Sequence, residues 1–238
     1  MQTGHVDVMV SVGNNFFYTK SLPCSLWFFD RGKPAERLDK VLFIDARNYY
    51  TVVDRTLNEW TEWQLRNLNA IVWLYRGETD KYRALIREYH KWLDEDPFAQ
   101  TVTEVEALIK QTRAEAKTAV EKAEKKDRKR LQAKYDEQIA ALEEMLQIAK
   151  EACWLEEKFG EGEYADVPGL CKLADISEIE DKGWSLTPGA YVGVAPVEDD
   201  GVDFHVRMKE IHEELKTLQA QSNELMATIS KNMEEMGL

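Results

Sequence analysis

Hydrophobic residues in the first 50 positions occur in short runs. The runs occupy residues 6–12, 22–29 and 41–44, and each is bounded by glycine, asparagine, proline or charged residues. Runs of four to eight apolar, β-branched and aromatic residues between turn-forming residues are typical of buried β-strands. The pattern therefore predicts a small sheet of three strands, with a hairpin through residues 13–15 joining the first two.

Helical spacing replaces this pattern at about residue 57. Apolar residues over 57–75 and 79–93 recur every three or four positions, and Gly77 separates the two segments. A glycine directly after such a periodic stretch is a common helix stop. We expect two helices here, and the second should end before Pro97.

Residues 98–159 contain neither glycine nor proline. Two seams of alternating three- and four-residue spacing run through them, over 102–123 and 135–153, as in coiled coils. The seams are out of register across the charged stretch 124–130. This break favours two antiparallel helices that turn there, and one bent rod is the alternative.

The remaining chain combines a loop-rich stretch with a very regular helix. Residues 160–201 hold three prolines, with a short helix expected near 175–182, whereas apolar residues over 204–236 keep the heptad spacing without a slip. The expected class is α+β, mostly α: a small sheet, a long helical hairpin and a C-terminal heptad helix. The predicted domains are the strands at 1–56, the helical region at 57–160, the loop-rich connection at 161–202 and the heptad helix at 203–238.

Composition excludes several classes of protein. The chain has 238 residues with 31 basic and 44 acidic side chains, a net charge of −13, which argues against a protein that binds nucleic acid on its own. No apolar run approaches the roughly 20 residues that span a bilayer, and no signal-peptide pattern is present. Three separated cysteines without a CxxC pair indicate reduced thiols in a cytoplasmic protein. No metal-ligand or nucleotide-binding motif occurs, so no metal site is expected.

Several segments resemble a known family when they are taken in order. Residues 8–30 (VMVSVGNNFFYTKSLPCSLWFFD) and 41–47 (VLFIDAR) are similar to late strands of the catalytic domain in methyltransferase (M) subunits of type I restriction-modification systems. Residues 164–171 (YADVPGLC) and 184–192 (WSLTPGAYV) are similar to later segments of the same subunits. An acidic stretch at 198–201 and the terminal heptad helix complete the resemblance.

The resemblance implies a strand region left over from an α/β methyltransferase domain. Members of that family transfer a methyl group from S-adenosylmethionine to the N6 atom of adenine in DNA. They use a glycine-rich cofactor motif and an Asn-Pro-Pro-aromatic motif that holds a flipped base. Neither motif occurs in this sequence. We therefore expect the C-terminal portion of such a subunit, from a natural or an engineered truncation, with no cofactor bound by this chain and no activity on its own. S-adenosylmethionine would serve the full-length subunit.

The resemblance also points to a loop that faces the target base. In related adenine methyltransferases the loop between these two late strands approaches the base pocket, so side chains of this loop would stack on adenine or bond to it. The alternative is that the aromatic pair packs into the core and the asparagines only turn the chain. The candidate residues are Asn14, Asn15, Phe16 and Phe17.

A basic stretch interrupts the acidic chain at the expected helical turn. Residues 117–134 carry eight basic and three acidic side chains. At the tip of a hairpin these bases could contact DNA phosphates in the assembled enzyme, and a solvated turn is the alternative. The candidate phosphate contacts are Lys125, Lys126, Arg128, Lys129 and Arg130.

The terminal heptad helix is the expected docking element. In the resembled family, C-terminal helices contact the specificity (S) subunit, and the seam here would present Met208, Ile211, Leu215, Leu218, Leu225 and Ile229. Packing against the chain's own 102–155 hairpin is the alternative. The expected partners are the specificity and restriction subunits, DNA through the assembly and, through an exposed sheet edge, a second copy. The competing function is a coiled-coil interaction module without a catalytic role.

Overall fold

A four-stranded sheet lies at the centre of the first part of the chain. The computed structural model describes residues 2–17, 20–93, 97–124, 126–195 and 204–235. Contacts divide the chain into two units, residues 1–195 and residues 196–238. The strands are β1 (Val6–Val12), β2 (Cys24–Phe29), β3 (Lys40–Ala46), β4 (Thr51–Asp54), β5 (Leu57–Glu59) and β6 (Cys171–Asp175). The helices are α1 (Glu62–Tyr75), α2 (Thr79–Trp92), α3 (Phe98–Lys122), α4 (Arg128–Phe159), α5 (Ile176–Asp181), α6 (Gly189–Val192) and α7 (Phe204–Glu235).

These elements give a mostly helical α+β protein with a small sheet. The predicted division into four domains stays a prediction. None of the helices within the described ranges is long and apolar enough to cross a membrane.

The main sheet has the strand order β2–β1–β3–β6. The central strands β1 and β3 run parallel, with Val8 opposite Leu42 and Val12 opposite Ala46. The outer strands β2 and β6 run antiparallel to their neighbours. Because β1 and β3 are parallel, their carboxyl ends lie at the same edge of the sheet.

The sheet differs from the sequence prediction in three ways. The fourth strand, β6, comes from the stretch that was expected to be only loop and short helix, and it pairs with the free edge of β3. No tight hairpin joins β1 and β2, because residues 13–23 lie between them. The strand β2, expected to be buried, is an edge strand that is largely exposed.

Both faces of the central strands are buried, which explains their continuous apolar sequence. On β3, Leu42 and Ile44 face a core that includes residues of α1, α2 and α4. Val41 and Phe43 face the other side, where α5 and α6 supply Ile179 and the ring of Tyr191. The first unit therefore has three layers, with helices on both sides of one sheet.

A small hairpin precedes α1, in a region where the spacing predicts helix from residue 57. The strands β4 and β5 pair antiparallel, with Thr51 opposite Glu59. Helix α1 begins later because Thr61 and Gln64 form a capping box: the Thr61 hydroxyl accepts from the Gln64 amide, and the Gln64 side chain accepts from the Thr61 amide. The prediction was wrong for residues 57–61.

Helices α3 and α4 form the predicted antiparallel hairpin, which excludes the bent rod. Their turn lies between Lys122 and Arg128. Two ion pairs connect the helices, Lys150 with Glu106 at 2.6 Å and Arg113 with Glu143 at 2.5 Å. Residues that lie later on α3 pair with residues that lie earlier on α4, as antiparallel packing requires.

A buried polar network joins the base of this hairpin to α1 and α2. The Glu151 carboxylate accepts hydrogen bonds from the Tyr49 hydroxyl and the Asn67 amide. Asn67 in turn accepts a 2.9 Å hydrogen bond from the Tyr89 hydroxyl. Burial raises the pKa of Glu151 above its ordinary value, although these donors act in the opposite direction.

Candidate functional site

The predicted base-facing loop, residues 13–17, lies at the carboxyl end of β1. In open sheets with parallel strands, ligands generally bind in the crevice outside the carboxyl ends of the strands. The loop begins at Gly13, where a Cβ atom would come within 2.7 Å of the Arg47 carbonyl oxygen. A glycine is therefore required for the loop to pass this close to the end of β3.

Asn58 of strand β5 fixes the backbone of this loop. Its amide nitrogen donates to the Asn15 carbonyl at 2.8 Å, and its side-chain amide donates to the Asn14 carbonyl at 2.9 Å. Asn15 has a positive φ of 61°, a conformation that asparagine tolerates better than most residues. Two donors from one buried residue thus hold a turn that has no regular secondary structure.

The two aromatic residues of the loop have different environments. The ring of Phe16 packs against Trp60 at a centroid distance of 4.8 Å and against Tyr50 at 5.9 Å. The side chain of Phe17 is 48% exposed. Phe16 is therefore partly buried against aromatic neighbours, whereas Phe17 and the exposed Asn14 are accessible to a ligand. Their contact with a base stays a prediction.

A half-exposed arginine lies beside the loop. The Arg47 guanidinium donates to both carboxylate oxygens of Asp45, with 2.6 Å between Nη2 and Oδ2. These hydrogen bonds raise the pKa of Arg47 above its ordinary value. A Cβ atom on Gly189 would come within 2.5 Å of Nη2, so glycine leaves the room that the guanidinium occupies.

Sequence reasoning found the loop but missed what supports it. Asn58 lies 44 residues from Asn14, and the sequence carries no signal for a contact at that distance. The Thr61–Gln64 capping box was a local signal that would have placed the helix start correctly and left residues 51–59 for a hairpin.

The described part of the basic hairpin tip makes several local contacts. Arg128 donates to the Ala123 carbonyl at 3.0 Å and so caps the end of α3. Lys126 pairs with Glu124 at 2.9 Å, and Arg130 lies 3.8 Å from Asp127. Lys129 is exposed, and Lys125 lies outside the described residues. Charge at the tip is thus partly neutralised, and its contact with DNA stays a prediction.

The predicted docking residues all lie on one continuous helix, α7. Their side chains are between 38% and 62% exposed, although all are large and apolar. The candidates are Met208, Ile211, Leu215, Leu218, Leu225 and Ile229. A stripe of this size on one helix is typical of a surface that binds another helix.

The described residues include no cluster suited to a metal ion and no activated thiol. No group of three or more histidine, cysteine or acidic side chains is placed to hold a metal ion within those ranges. The three cysteines are unpaired, and burial raises the pKa of the Cys171 thiol to about 11. A thiol with so high a pKa is a poor nucleophile at neutral pH.

Comparisons with known proteins show that the chain is similar in sequence to DNA methylases. The family model for N-6 DNA methylases matches residues 1–128. The chain is 27% identical over 229 residues to the type I restriction enzyme MjaIX methylase subunit of Methanocaldococcus jannaschii, covering 96% of this chain and 26% of that protein. It is 25% identical over 232 residues to the HindI methylase subunit of Haemophilus influenzae, covering 98% and 33%.

A solved structure is also similar. It is a type I restriction-modification methyltransferase subunit from Streptococcus thermophilus, with 13% identity and a TM-score of 0.34, covering 81% of this chain and 21% of that one. The chain spans about a quarter to a third of the length of the curated relatives. Since the family model matches more than half of the chain, this protein belongs to the N-6 DNA methylase family.

Proposed function

We propose that this chain is the C-terminal part of a type I restriction-modification methyltransferase subunit. The full subunit transfers a methyl group from S-adenosylmethionine to adenine N6 in DNA. The observation that carries the proposal is the match to type I methylase subunits along 96% and 98% of the chain. The chain contributes a base-facing loop, a DNA-contacting hairpin tip and a docking helix, and the proposed enzyme works in the cytoplasm.

The cofactor belongs to the rest of the subunit in this proposal. S-adenosylmethionine supplies the methyl group, and the family holds it with a glycine-rich motif that this sequence lacks. The one glycine of the base-facing loop, Gly13, offers no open cradle, because the Arg47 carbonyl already occupies the space beside it. The described part of this loop does not fit a cofactor site, and we expect no methylation of DNA by this chain alone.

The base-facing loop supplies a stacking surface. The rigid backbone held by Asn58 presents the exposed ring of Phe17 and the amide of Asn14 at the carboxyl edge of the sheet. Stacking of a base on an aromatic side chain contributes about 1–3 kcal/mol. Asn14 adds a hydrogen-bonding group to the same face.

Substitution of Phe17 in the assembled full-length subunit tests this role. Phe17→Ala should lower kcat/KM for adenine methylation by at least about 10-fold and leave the melting temperature unchanged, since the ring is exposed. Phe16→Ala is the matched control, and it should lower the melting temperature because its ring packs against Trp60. Unchanged methylation by folded Phe17→Ala would argue against a base-facing loop.

The hairpin tip binds DNA phosphates in this proposal. Lys126, Lys129 and Arg130 are exposed there, whereas Arg128 caps α3 and is assigned no phosphate. Removing one side chain that binds a phosphate should reduce the slope of log affinity against log salt by about 0.9. Neutralising Lys126, Lys129 and Arg130 to glutamine should therefore flatten the slope by up to about 3, and Lys110→Gln, Lys150→Gln on the hairpin shaft should not. An equal effect in both variants would favour a solvated turn.

Helix α7 docks the specificity subunit. Its six candidate docking residues between Met208 and Ile229 are exposed, and the stripe keeps heptad spacing, which suits a second helix. Leu215→Asp/Leu225→Asp should abolish co-purification of the specificity subunit and leave the melting transition of residues 1–195 in place. Thr217→Asp/Ala220→Asp, on the opposite side of the heptad, is the matched control and should retain binding. Loss of folding in the stripe variant alone would favour packing within the chain.

A second function, a coiled-coil interaction module without a catalytic role, draws on the same exposed helix. The reading frame upstream of the first codon distinguishes the two. A frame that encodes the glycine-rich and Asn-Pro-Pro motifs supports the methyltransferase, together with DNA methylation by the assembled subunits. A closed frame, with specificity-subunit binding intact, supports the interaction module. The restriction subunit is the further partner expected of the methyltransferase.

A further inference from the structure

The guanidinium of Arg47 has donors that the fold leaves unused. Arg47 follows directly after β3, and its side chain is 48% exposed. Its Nε donates to Oδ1 of Asp45 at 2.8 Å, and its Nη2 donates to Oδ2 at 2.6 Å. Within the described residues, Nη1 donates to no acceptor. Since a guanidinium carries five N–H donors in one plane, Arg47 can bind a second anion and keep its pair with Asp45.

Asp45 and Gly189 hold this guanidinium in one orientation. The Asp45 side chain is only 9% exposed, and it also accepts from the Arg47 backbone amide at 3.2 Å. A Cβ atom on Gly189 would lie 2.5 Å from Nη2 of Arg47 and 3.1 Å from Oδ2 of Asp45. The backbone at residue 189 therefore packs directly against the ion pair. An arginine that is ordered before its ligand arrives loses less conformational entropy on binding.

Arg47 also lies beside the base-facing loop. Val12, the last residue of β1, pairs with Ala46, the last residue of β3, and the two strands are parallel. Both strands therefore end at the same level of the sheet, where the loop follows β1 and Arg47 follows β3. A Cβ atom on Gly13 would come within 2.7 Å of the Arg47 carbonyl oxygen, so the two segments touch. An anion bound by the guanidinium would lie at the same edge as this loop.

A phosphodiester suits this set of donors. Guanidinium N–H groups bind phosphate oxygens with good geometry, often two oxygens at a time. Half to two-thirds of the hydrogen bonds between proteins and DNA go to phosphate and sugar, and they fix the orientation of the DNA. The chain has a net charge of −13, so a DNA strand needs local donors at the edge where its base is held. Every base that reaches the loop brings the phosphates of its own nucleotide with it.

We propose that Arg47 binds a phosphate beside the target adenine and so positions that nucleotide at the base-facing loop. Asp45 is a positioning residue that holds the guanidinium with its unused donors open to the DNA strand. The inference rests on the proposed function, because it takes DNA as the ligand at this edge of the sheet. It deepens that function by naming a contact that lies next to the loop itself, apart from the hairpin tip.

The competing role for Arg47 is purely structural. The Asp45–Arg47 pair could serve only to support the backbone at Gly189, which packs against Nη2. A structural ion pair contributes to stability, so its loss lowers the melting temperature and leaves the salt dependence of DNA binding unchanged. A phosphate contact releases counterions from the DNA, so its loss reduces the slope of log affinity against log salt. The two roles therefore differ in what a substitution changes.

The test uses the full-length subunit assembled with its specificity subunit. The probe is a DNA duplex selected from a random pool by its affinity for the parent assembly, so no methylation is needed to find it. Arg47→Gln should weaken binding about 10-fold and reduce the salt slope by up to about 0.9. Arg31→Gln is the matched control and should bind as the parent does. Arg31 is exposed in the turn after β2, at the opposite end of β1, where Val6 pairs with Phe29.

Neutral phosphates in the probe locate the contact. Phosphates near each adenine are replaced one at a time by uncharged methylphosphonates. The parent should lose about 10-fold in affinity at one position, and Arg47→Gln should lose nothing further there. Arg47→Lys keeps the positive charge and serves if the glutamine variant does not fold. Its single ammonium group cannot hold both Asp45 and the phosphate in the same way, so the penalty at that position should fall at least about 3-fold.

Three results would overturn the inference. They are an unchanged salt slope in Arg47→Gln, methylphosphonate losses that are equal in the parent and the variants at every position, and a lower melting temperature as the only effect. Binding is measured without methylation, so the two proposals can fail separately. An assembly that binds phosphate through Arg47 but cannot methylate adenine contradicts the proposed function only. One that methylates adenine with no role for Arg47 contradicts this inference only, and a parent assembly that binds no DNA contradicts both.

Discussion

The α3–α4 hairpin and helix α7 carry the same kind of sequence pattern in different surroundings. Both have apolar residues at alternating spacings of three and four. In the hairpin, Val105 and Ile109 are buried, because α4 lies alongside α3. In α7, the equivalent side chains of Leu215 and Leu225 are exposed. Periodicity thus determines the helix and its apolar face, but the identity of the partner depends on residues elsewhere.

The strands β3 and β2 show the same contrast. Each contains an apolar run that predicts a buried strand. Strand β3 has neighbours on both sides and a helical layer on both faces, and Phe43 is completely buried. Strand β2 has one neighbour, and Phe28 and Phe29 are exposed. An apolar run therefore predicts a strand or a helix, but not whether its apolar side chains are covered.

Truncating one leucine in each helix should give the largest difference between the two regions. Leu155 on α4 is completely buried, whereas Leu225 on α7 is 62% exposed. Leu155→Ala leaves a cavity and should lower the free energy of unfolding by about 3 kcal/mol. Leu225→Ala should change it by less than about 0.5 kcal/mol, as is usual for surface substitutions. Urea unfolding followed by circular dichroism measures both.

A similar loss of unfolding free energy in Leu155→Ala and Leu225→Ala would contradict this difference between the two regions. Such a result would mean that the α7 stripe contributes to the core of the free chain, which is the packing alternative for this helix. A matched substitution, Leu142→Ala on the partly buried shaft of α4, should fall between the two values, since the cost follows the area buried.

Local patterns were sufficient for much of this fold. Apolar runs predicted the strands β1 and β3, and helical spacing predicted the helix α2. The break between the two heptad seams predicted the turn of the hairpin. Each prediction agrees with the observed bounds to within a few residues. Strand β6 was missed because CKLAD is short and mixed in polarity. It is a strand because β3 offers an unpaired edge, and β3 lies about 130 residues earlier in the chain.

The candidate site was also predictable only as far as it depends on local sequence patterns. The position of the loop follows from the strand that precedes it. Its rigidity depends on Asn58, and the difference between the partly buried Phe16 and the exposed Phe17 depends on Trp60. Both contacts join residues more than 40 positions apart, and one sequence carries no trace of them.

The base of the hairpin should also make the stability of the protein depend on pH. The pKa of Glu151 is raised in the folded state by burial, and in the unfolded chain the carboxyl has its ordinary pKa. At a pH between the ordinary pKa of the unfolded chain and the raised pKa of the folded state, the folded state holds a proton that the unfolded state has lost. The contribution to stability is therefore complete below the ordinary glutamate range and is lost as the pH rises through the folded pKa.

The substitution Glu151→Gln tests this sign. Glutamine resembles the protonated carboxyl, so the variant should lose less stability than the parent as the pH is raised from the ordinary glutamate range toward neutrality. One proton is worth at most about 1.4 kcal/mol per pH unit in that window. Denaturant unfolding at several pH values measures the slope, and Glu143→Gln, on the exposed part of the same helix, is the control. Parallel pH profiles for the parent and Glu151→Gln would contradict the assignment.

The smallest effect on stability is expected from an exposed ion pair on the hairpin, where the side chains are about as exposed as those of the α7 stripe. Arg113 and Glu143 form an ion pair between α3 and α4 at 2.5 Å, and their side chains are 61% and 49% exposed. Exposed pairs contribute about 0.2–1 kcal/mol and are screened by salt. A double-mutant cycle with Arg113→Ala and Glu143→Ala should therefore give a coupling within that range, and about 1 M salt should reduce it. A coupling above about 2 kcal/mol that salt leaves unchanged would mean that this surface is covered, and the hairpin shaft would then bind another polypeptide, as we propose for α7.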